Sequence, residues 1–266
     1  MIDPANYTSI LFERLDGDVL KVIISSPRSA LNLVDEALHD DLGRLFSDLR
    51  GEDEARAVLL TARGRAFCAG GDYRWLAELE DTARLDLLRR AGKQLIWDLL
   101  DVEVPIVCAL NGAAIGLGAS IALLCDVIFA ADTATIGDPH VRVGIVAGDG
   151  GTAIWPLAIG PARAKQYLMT GDSLGAVEAE RIGLINRVVP AAELEAESLA
   201  FARRLAAGAP LAIRYTKQAV NKLVKDALNV AFDFSTGLEL FTFKTEDHRE
   251  AMASLREKRP PNFKGC

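Results

Sequence analysis

The sequence predicts an α/β fold, on three observations. Short, unbroken apolar runs recur through the first two-thirds of the chain, at RAVLLTA (56–62), PIVCAL (105–110) and DVIFAA (126–131). Segments of helical spacing alternate with them, as at Leu38, Leu42, Leu45 and Leu49. Glycine-rich turns follow the strand-like runs and lead into the next helix. Strands alternating with helices of this kind make an α/β class.

Taken in order, the runs SILFERL and VLKVIIS flank Asp16-Gly17-Asp18, so Thr8 to Ser25 reads as a hairpin. The loop SPRSALN carries Pro27 and Arg28 and precedes a helix over Val34 to Leu49. After the strand at Arg56 to Ala62, helices are expected from about Asp72 and again from Leu85 to Leu100. A strand at Pro105 to Leu110, a helix at Gly116 to Leu124 and the strand DVIFAA follow, and ATIGDP ends in a turn at Asp138-Pro139. From Gly151 the pattern is mainly helical, broken by Pro156, Gly160, Pro161, Gly171 and Gly175, with one short strand at NRVVP. The stretch Ala191 to Arg259 is almost all helix, and no sequence repeat is visible.

Bulk properties narrow the function. A chain of 266 residues fits one large domain with an appendage. Its formal charge, 30 − 37 = −7, argues against nucleic acid or an anionic membrane as partner. Cys68, Cys108, Cys125 and Cys266 share no CxxC spacing and no histidine cluster accompanies them, so neither a disulfide framework nor a metal site is expected. The N-terminus MIDPANYTSI has no signal-peptide pattern, and a cytoplasmic setting is expected. Val104 to Cys125 is uncharged, but Pro105, Asn111, Gly112, Gly116 and Gly118 interrupt it. It reads as a buried strand, a glycine turn and a buried helix rather than a membrane span.

Three loops carry candidate chemistry. GRAFCAGGD (64–72) and NGAAIGLGAS (111–120) each run from a strand toward a helix. A helix start offers unpaired N–H groups and partial positive charge, which suits an oxyanion; the alternative is a tight turn in a packed core. Gly116-Leu-Gly118 begins like a dinucleotide fingerprint, but Ile121 stands at the third glycine position. Gly118-Ala-Ser120-Ile-Ala122 resembles a nucleophile elbow with its last glycine replaced, making a Ser120–His140–Asp149 triad conceivable, in a chain order unlike that of α/β-hydrolases. The third loop, GDPHVRVGIVAGDGG (137–151), sets Asp138, His140, Arg142 and Asp149 among glycine and valine. His140 is a candidate acid–base group against an ordinary loop histidine. Asp138 reads as a turn or cap residue beside Pro139, and Asp149 as an acid or a helix cap.

RSALN, GRAFCAGGD, VPIVCALNGAAIGLGAS, IALLCDVIFAADTATIG, VGIVAGDGGTAIWPLAIG, GLINRVV and TEDHREAMASLREKRPPNFKG occur in that order. The ordered set, which covers nearly the whole chain, resembles the crotonase, or enoyl-CoA hydratase/isomerase, superfamily. The resemblance implies a spiral core of repeated ββα units over residues 1–200, followed at 201–266 by a helical region that forms trimers, often paired into hexamers. It implies an acyl-CoA thioester as substrate, with CoA present only as part of it and no other cofactor. It puts the thioester carbonyl between the N–H groups of Gly71 and Leu117. The CoA pocket would be lined around Arg28, Ala30 and Ala69. Arg28 would meet a phosphate and the Ala30 backbone the adenine. The basic tail KRPPNFKG would reach a neighbouring subunit's CoA or stand solvated.

The departures bear on mechanism. Ser120 and His140 stand where hydratases of this family carry two glutamates. Serine is no carboxylate base near neutral pH, and one histidine is not a matched carboxylate pair. The substitutions argue against ordinary enoyl-CoA hydration and leave His140 and Asp149 as proton-transfer candidates. Isomerisation, hydration of an unusual substrate, decarboxylation and thioester hydrolysis remain open, beside a catalytically silent acyl-CoA-binding homologue.

Overall fold

The computed structural model describes residues 2–77 and 81–266. Strand β1 (Ile10–Leu15) pairs antiparallel with β2 (Val19–Ile24) through the Asp-Gly-Asp turn. Helix α1 (Glu36–Leu49) starts at Asp35, whose carboxylate accepts the Leu38 N–H, and buries Leu38, Leu42, Leu45 and Leu49. Next come β3 (Ala57–Ala62), β4 (Ala66–Cys68), the short α2 (Tyr73–Leu76) and α3 (Thr82–Asp101). The helix expected from Asp72 extends toward residues 78–80, which lie outside the described residues. The middle of the chain forms β5 (Ile106–Leu110), β6 (Ala113–Ile115), α4 (Leu117–Leu123), β7 (Val127–Ala131) and β8 (Thr135–Gly137). After a 3-10 turn at His140–Val143 follow α5 (Gly151–Ile159), α6 (Pro161–Thr170), β9 (Leu174–Gly175), α7 (Ala176–Arg181) and β10 (Arg187–Val189). The remainder is α8 (Leu194–Ala206), the 33-residue α9 (Pro210–Thr242) and α10 (Glu246–Glu257).

The large sheet has the order β1-β2-β3-β5-β7-β10, and every pairing after the first hairpin is parallel. Its central strands are buried on both faces, which is why they read as unbroken apolar runs rather than alternating ones. A smaller sheet, β4-β6-β8-β9, stands beside it. Here the structure corrects the sequence reading. Each glycine turn expected to pass directly from strand to helix first adds a three-residue strand to this second sheet, β4 after β3 and β6 after β5. A long strand, a short strand and then helix is thus a backbone repeat without a matching sequence repeat. Strands of three residues hold too few side chains to show a period of two.

One side chain fixes the first loop against this small sheet. Asn32, 1 % exposed, donates from Nδ2 to the carbonyls of Arg63, Ala66 and Phe67 at 2.8, 3.0 and 3.2 Å and accepts the Ser26 N–H at 2.9 Å. Two residues on, Val34 donates to the Gly70 carbonyl and accepts from Asp72, both at 2.8 Å. This single bridge leaves the Gly71 N–H pointing to the opposite side, because a strand's successive backbone groups alternate in direction. Replacing Asn32 by alanine strands several buried backbone groups at once. The expected cost is about 2–3 kcal/mol of stability by urea denaturation; an unchanged midpoint would contradict this role.

Candidate active site

The loop from Gly137 to Gly150 builds the centre. Asp138, 1 % exposed, accepts a short hydrogen bond from Nδ1 of His140, two residues along the chain. That bond sets the tautomer and turns Nε2 toward Asp149, whose Oδ2 lies 3.7 Å away. Asp149 also accepts the Ser120 hydroxyl at 3.3 Å and the Gly151 N–H. The second oxygen of Asp138 is buried with no partner among the described residues. It lies against Gly151, where any Cβ would come within 2.1 Å of it.

These contacts revise three expectations. Asp138 is the partner of His140 rather than a cap. Asp149 is not the N-cap of α5, which is Gly150 with no side-chain cap bond. Ser120 gives its hydroxyl to Asp149 and not to His140, so the paper triad is not formed. Ser120 is itself 1 % exposed and does not line the cavity described next.

A cavity of about 250 Å³ opens beside His140 and Asp149. Gly71 and Leu117 both line it, as does Ala69. Leu117 is the first residue of α4, so its N–H has no intrahelical acceptor. Neither the Gly71 nor the Leu117 N–H has a hydrogen-bond partner among the described residues. Two glycines make the convergence possible. Gly116 turns the chain at φ 55°, and a Cβ at Gly118 would stand 2.4 Å from the Cys68 carbonyl, so α4 can press against the end of β4. Trp75, Leu88, Ile145, Leu240 and Phe243 add an apolar part to the wall, beside polar residues from α3 and α9.

Arg28 and Ala30 lie outside this cavity. The Arg28 side chain is 71 % exposed, pairs with Asp35 at 3.0 Å and edges a shallow groove that shares Trp75 with the cavity wall. The Ala30 carbonyl accepts the Arg65 N–H at 2.8 Å. Two further wall residues escaped sequence reasoning, His39 on α1 and Glu239 on α9. His39 was one polar residue in a helical stripe, and Glu239 one acid in a long helix. Only the packing of those helices brings them here.

The electrostatics follow from burial. Desolvation opposes a charge on His140, but Asp138 and Asp149, with Glu239 behind them, outweigh it and hold the imidazole well above the ordinary histidine value. Desolvation raises Asp149 to about 6, with His140 opposing and Asp138 assisting. Desolvation, then the like charges of Asp149 and Asp138 against His140, raises Glu239 to about 8. At neutral pH the centre therefore holds a protonated imidazole beside an ionised Asp149 and a neutral Glu239. The donor atoms of Asp138, His140 and Asp149 lie within 4.8 Å of one another, the spacing of a cation site. Within this trio Nδ1 is committed to Asp138, which leaves Nε2, the Asp149 carboxylate and the buried second oxygen of Asp138.

Residues 15–266 match the family model described as enoyl-CoA hydratase/isomerase. The chain belongs to that family. A probable enoyl-CoA hydratase of Mycobacterium bovis is 35% identical over 259 residues, covering 97% of this chain and 98% of the relative. The crystal structure of an enoyl-CoA hydratase/isomerase from Mycobacterium paratuberculosis superposes with a TM-score of 0.87 at 35% identity, over 93% of this chain and 98% of that one. A β-diketone hydrolase from the cyanobacterium Anabaena, bound to (S)-3-oxocyclohexyl acetic acid, superposes with a TM-score of 0.84 at 31% identity, over 90% and 95%. The enoyl-CoA hydratase/isomerase family thus supplies the crotonase fold expected from the motifs. Within that fold, this member's polar centre is an imidazole set among carboxylates.

Asp149→Asn removes one of the two negative charges nearest the imidazole. The His140 pKa, followed by NMR titration of its ring carbon protons, is expected to fall; an unmoved value would mean that Asp149 is not coupled to it.

Proposed function

We propose that this chain acts on an acyl-CoA thioester by proton transfer through an enolate. The observation that carries the reading is the position of two unpaired N–H groups, Gly71 and Leu117, on one cavity wall with His140 and Asp149. The thioester oxygen lies between the two amides, which lower the cost of placing negative charge on it. Loss of one such donor typically costs ~3 kcal/mol of transition-state stabilisation. Asp149, ionised at neutral pH, takes the proton from the carbon next to the thioester as the electron pair moves onto the oxygen. His140, protonated through Nε2, returns a proton to the acyl chain as the enolate collapses. Asp138 holds the imidazole in place and balances its charge. Arg28 and the groove beside Trp75 guide the CoA portion.

A second reading has its own support. Where hydratases carry paired glutamates, this chain has a histidine, and one structural neighbour is a β-diketone hydrolase. In that chemistry Asp149 deprotonates a water that attacks a carbonyl. The carbon–carbon bond to the next carbon breaks, its electrons form an enolate held by Gly71 and Leu117, and His140 protonates that carbon. A linear diketone gives a carboxylic acid and a ketone, and a cyclic one opens to a single keto acid. Release of acid from a cyclic 1,3-diketone without CoA would favour it over the first reading.

The proposal is tested with a panel of enoyl-, malonyl- and hydroxyacyl-CoA esters. His140→Ala should lower turnover by about 10²–10⁴-fold while CoA-ester affinity changes little. Tight binding of the esters by the unaltered protein with no turnover of any would instead mark a silent acyl-CoA-binding homologue.

Self-association is proposed as well. Helix α9 exposes Leu223, Val230, Phe234 and Phe241, with Val230 84 % exposed, an apolar row that a lone subunit would leave in water. Light scattering should give the mass of a trimer or hexamer, and a monomeric mass at micromolar concentration would contradict it.

A further inference from the structure

Helix α9 does more than close the cavity. Thr236 shares its hydroxyl proton between the Phe232 carbonyl at 2.7 Å and the Gly148 carbonyl at 3.1 Å, and Thr242 accepts the Val146 N–H at 3.1 Å. Glu239 lies midway between these two threonines, three residues from each, and so on the same helix face. The bonds to Gly148 and Val146 strap that face to the segment carrying Asp149. Glu239 Oε2 sits so close to Gly148 that a Cβ there would stand 2.3 Å from it. Among the described residues neither carboxyl oxygen of Glu239 has a hydrogen-bond partner, although the group lines the cavity.

His140 cannot satisfy it, because Nδ1 is bonded to Asp138 and Nε2 faces Asp149. The charged groups that α3 adds to the wall are engaged elsewhere: Arg89 pairs with Asp86 at 2.8 Å, and Lys93 with Asp233 at 2.6 Å. Burial and the two neighbouring aspartates keep Glu239 protonated at neutral pH. A neutral carboxyl has one O–H to donate, and with no acceptor for it among the described residues it is available to a ligand in the cavity. A saturated or enoyl chain has no acceptor to offer and would leave the donor stranded.

We infer that Glu239 holds a second carbonyl of the substrate, so that the acyl group is a 3-oxoacyl chain with its thioester oxygen at Gly71 and Leu117 and its 3-oxo oxygen at the Glu239 carboxyl. The inference rests on the acyl-CoA reading above and adds a substrate class to it. It also names a substrate-binding residue on a helix that carries no glycine motif.

The test is calorimetric binding of acetoacetyl-CoA and butyryl-CoA at pH 7 to the unaltered protein, Glu239→Gln and Glu239→Leu. The unaltered protein should favour acetoacetyl-CoA by about tenfold, the worth of one buried hydrogen bond. Glu239→Gln, whose amide still donates, should keep the preference. Glu239→Leu should bind the two esters equally, and a thermal melt matching that of the unaltered protein reports that the variant is folded. Equal binding by the unaltered protein, or a preference that survives in Glu239→Leu, would overturn the inference and leave the acyl-CoA reading intact. Failure of the unaltered protein to bind either ester would overturn both.

Discussion

The hydrogen bond from His140 to Asp138 is the contact on which the rest of the centre depends. It joins two residues of one short loop, one buried and one at the cavity edge, and it fixes both the direction and the charge of the ring. Everything nearby answers to that charge. Asp149 is held by Ser120 and a backbone N–H so that its free oxygen faces the ring. Without the imidazolium, three carboxyl groups would share a space that water hardly reaches, and burying such charges unpaired is costly. The loop can make this arrangement because its neighbours are small. Gly151 leaves room for the Asp138 carboxylate and Gly148 for that of Glu239.

The paired amides depend on a different constraint, the close approach of two structural repeats. One N–H comes from the loop after β4 and the other from the start of α4, and Gly118 allows the contact between β4 and α4. This part of the wall is formed from main chain, so side-chain substitutions around it leave the two amides in place.

Much of this was legible in the sequence. The central strands announced themselves as unbroken aliphatic runs, because both faces of a parallel sheet are covered. The ordered motifs gave the family and, residue by residue, the positions that gather at the cavity: Gly71, Leu117, His140 and Asp149. The second sheet was not legible, since β4, β6 and β8 are only three residues long, too short to show an alternating pattern. The role of Asp138 was hidden because an aspartate before proline looks like any turn. Glu239 gave no local signal at all. It follows Asp149 by ninety positions and becomes part of the centre only through the docking of α9. Ser120 shows the opposite failure, a suggestive motif whose hydroxyl is spent on orienting a neighbour.

The straps from Thr236 and Thr242 have a consequence for the order in which the protein comes to life. The cavity wall at Gly71 and Leu117 and the histidine loop are encoded before residue 151, yet the segment bearing Asp149 is held in place by side chains encoded some ninety residues later. A nascent polypeptide leaving the ribosome would have its sheets well before it had a finished reaction chamber. The cavity would be completed late in synthesis, when the long penultimate helix folds back over what is already built.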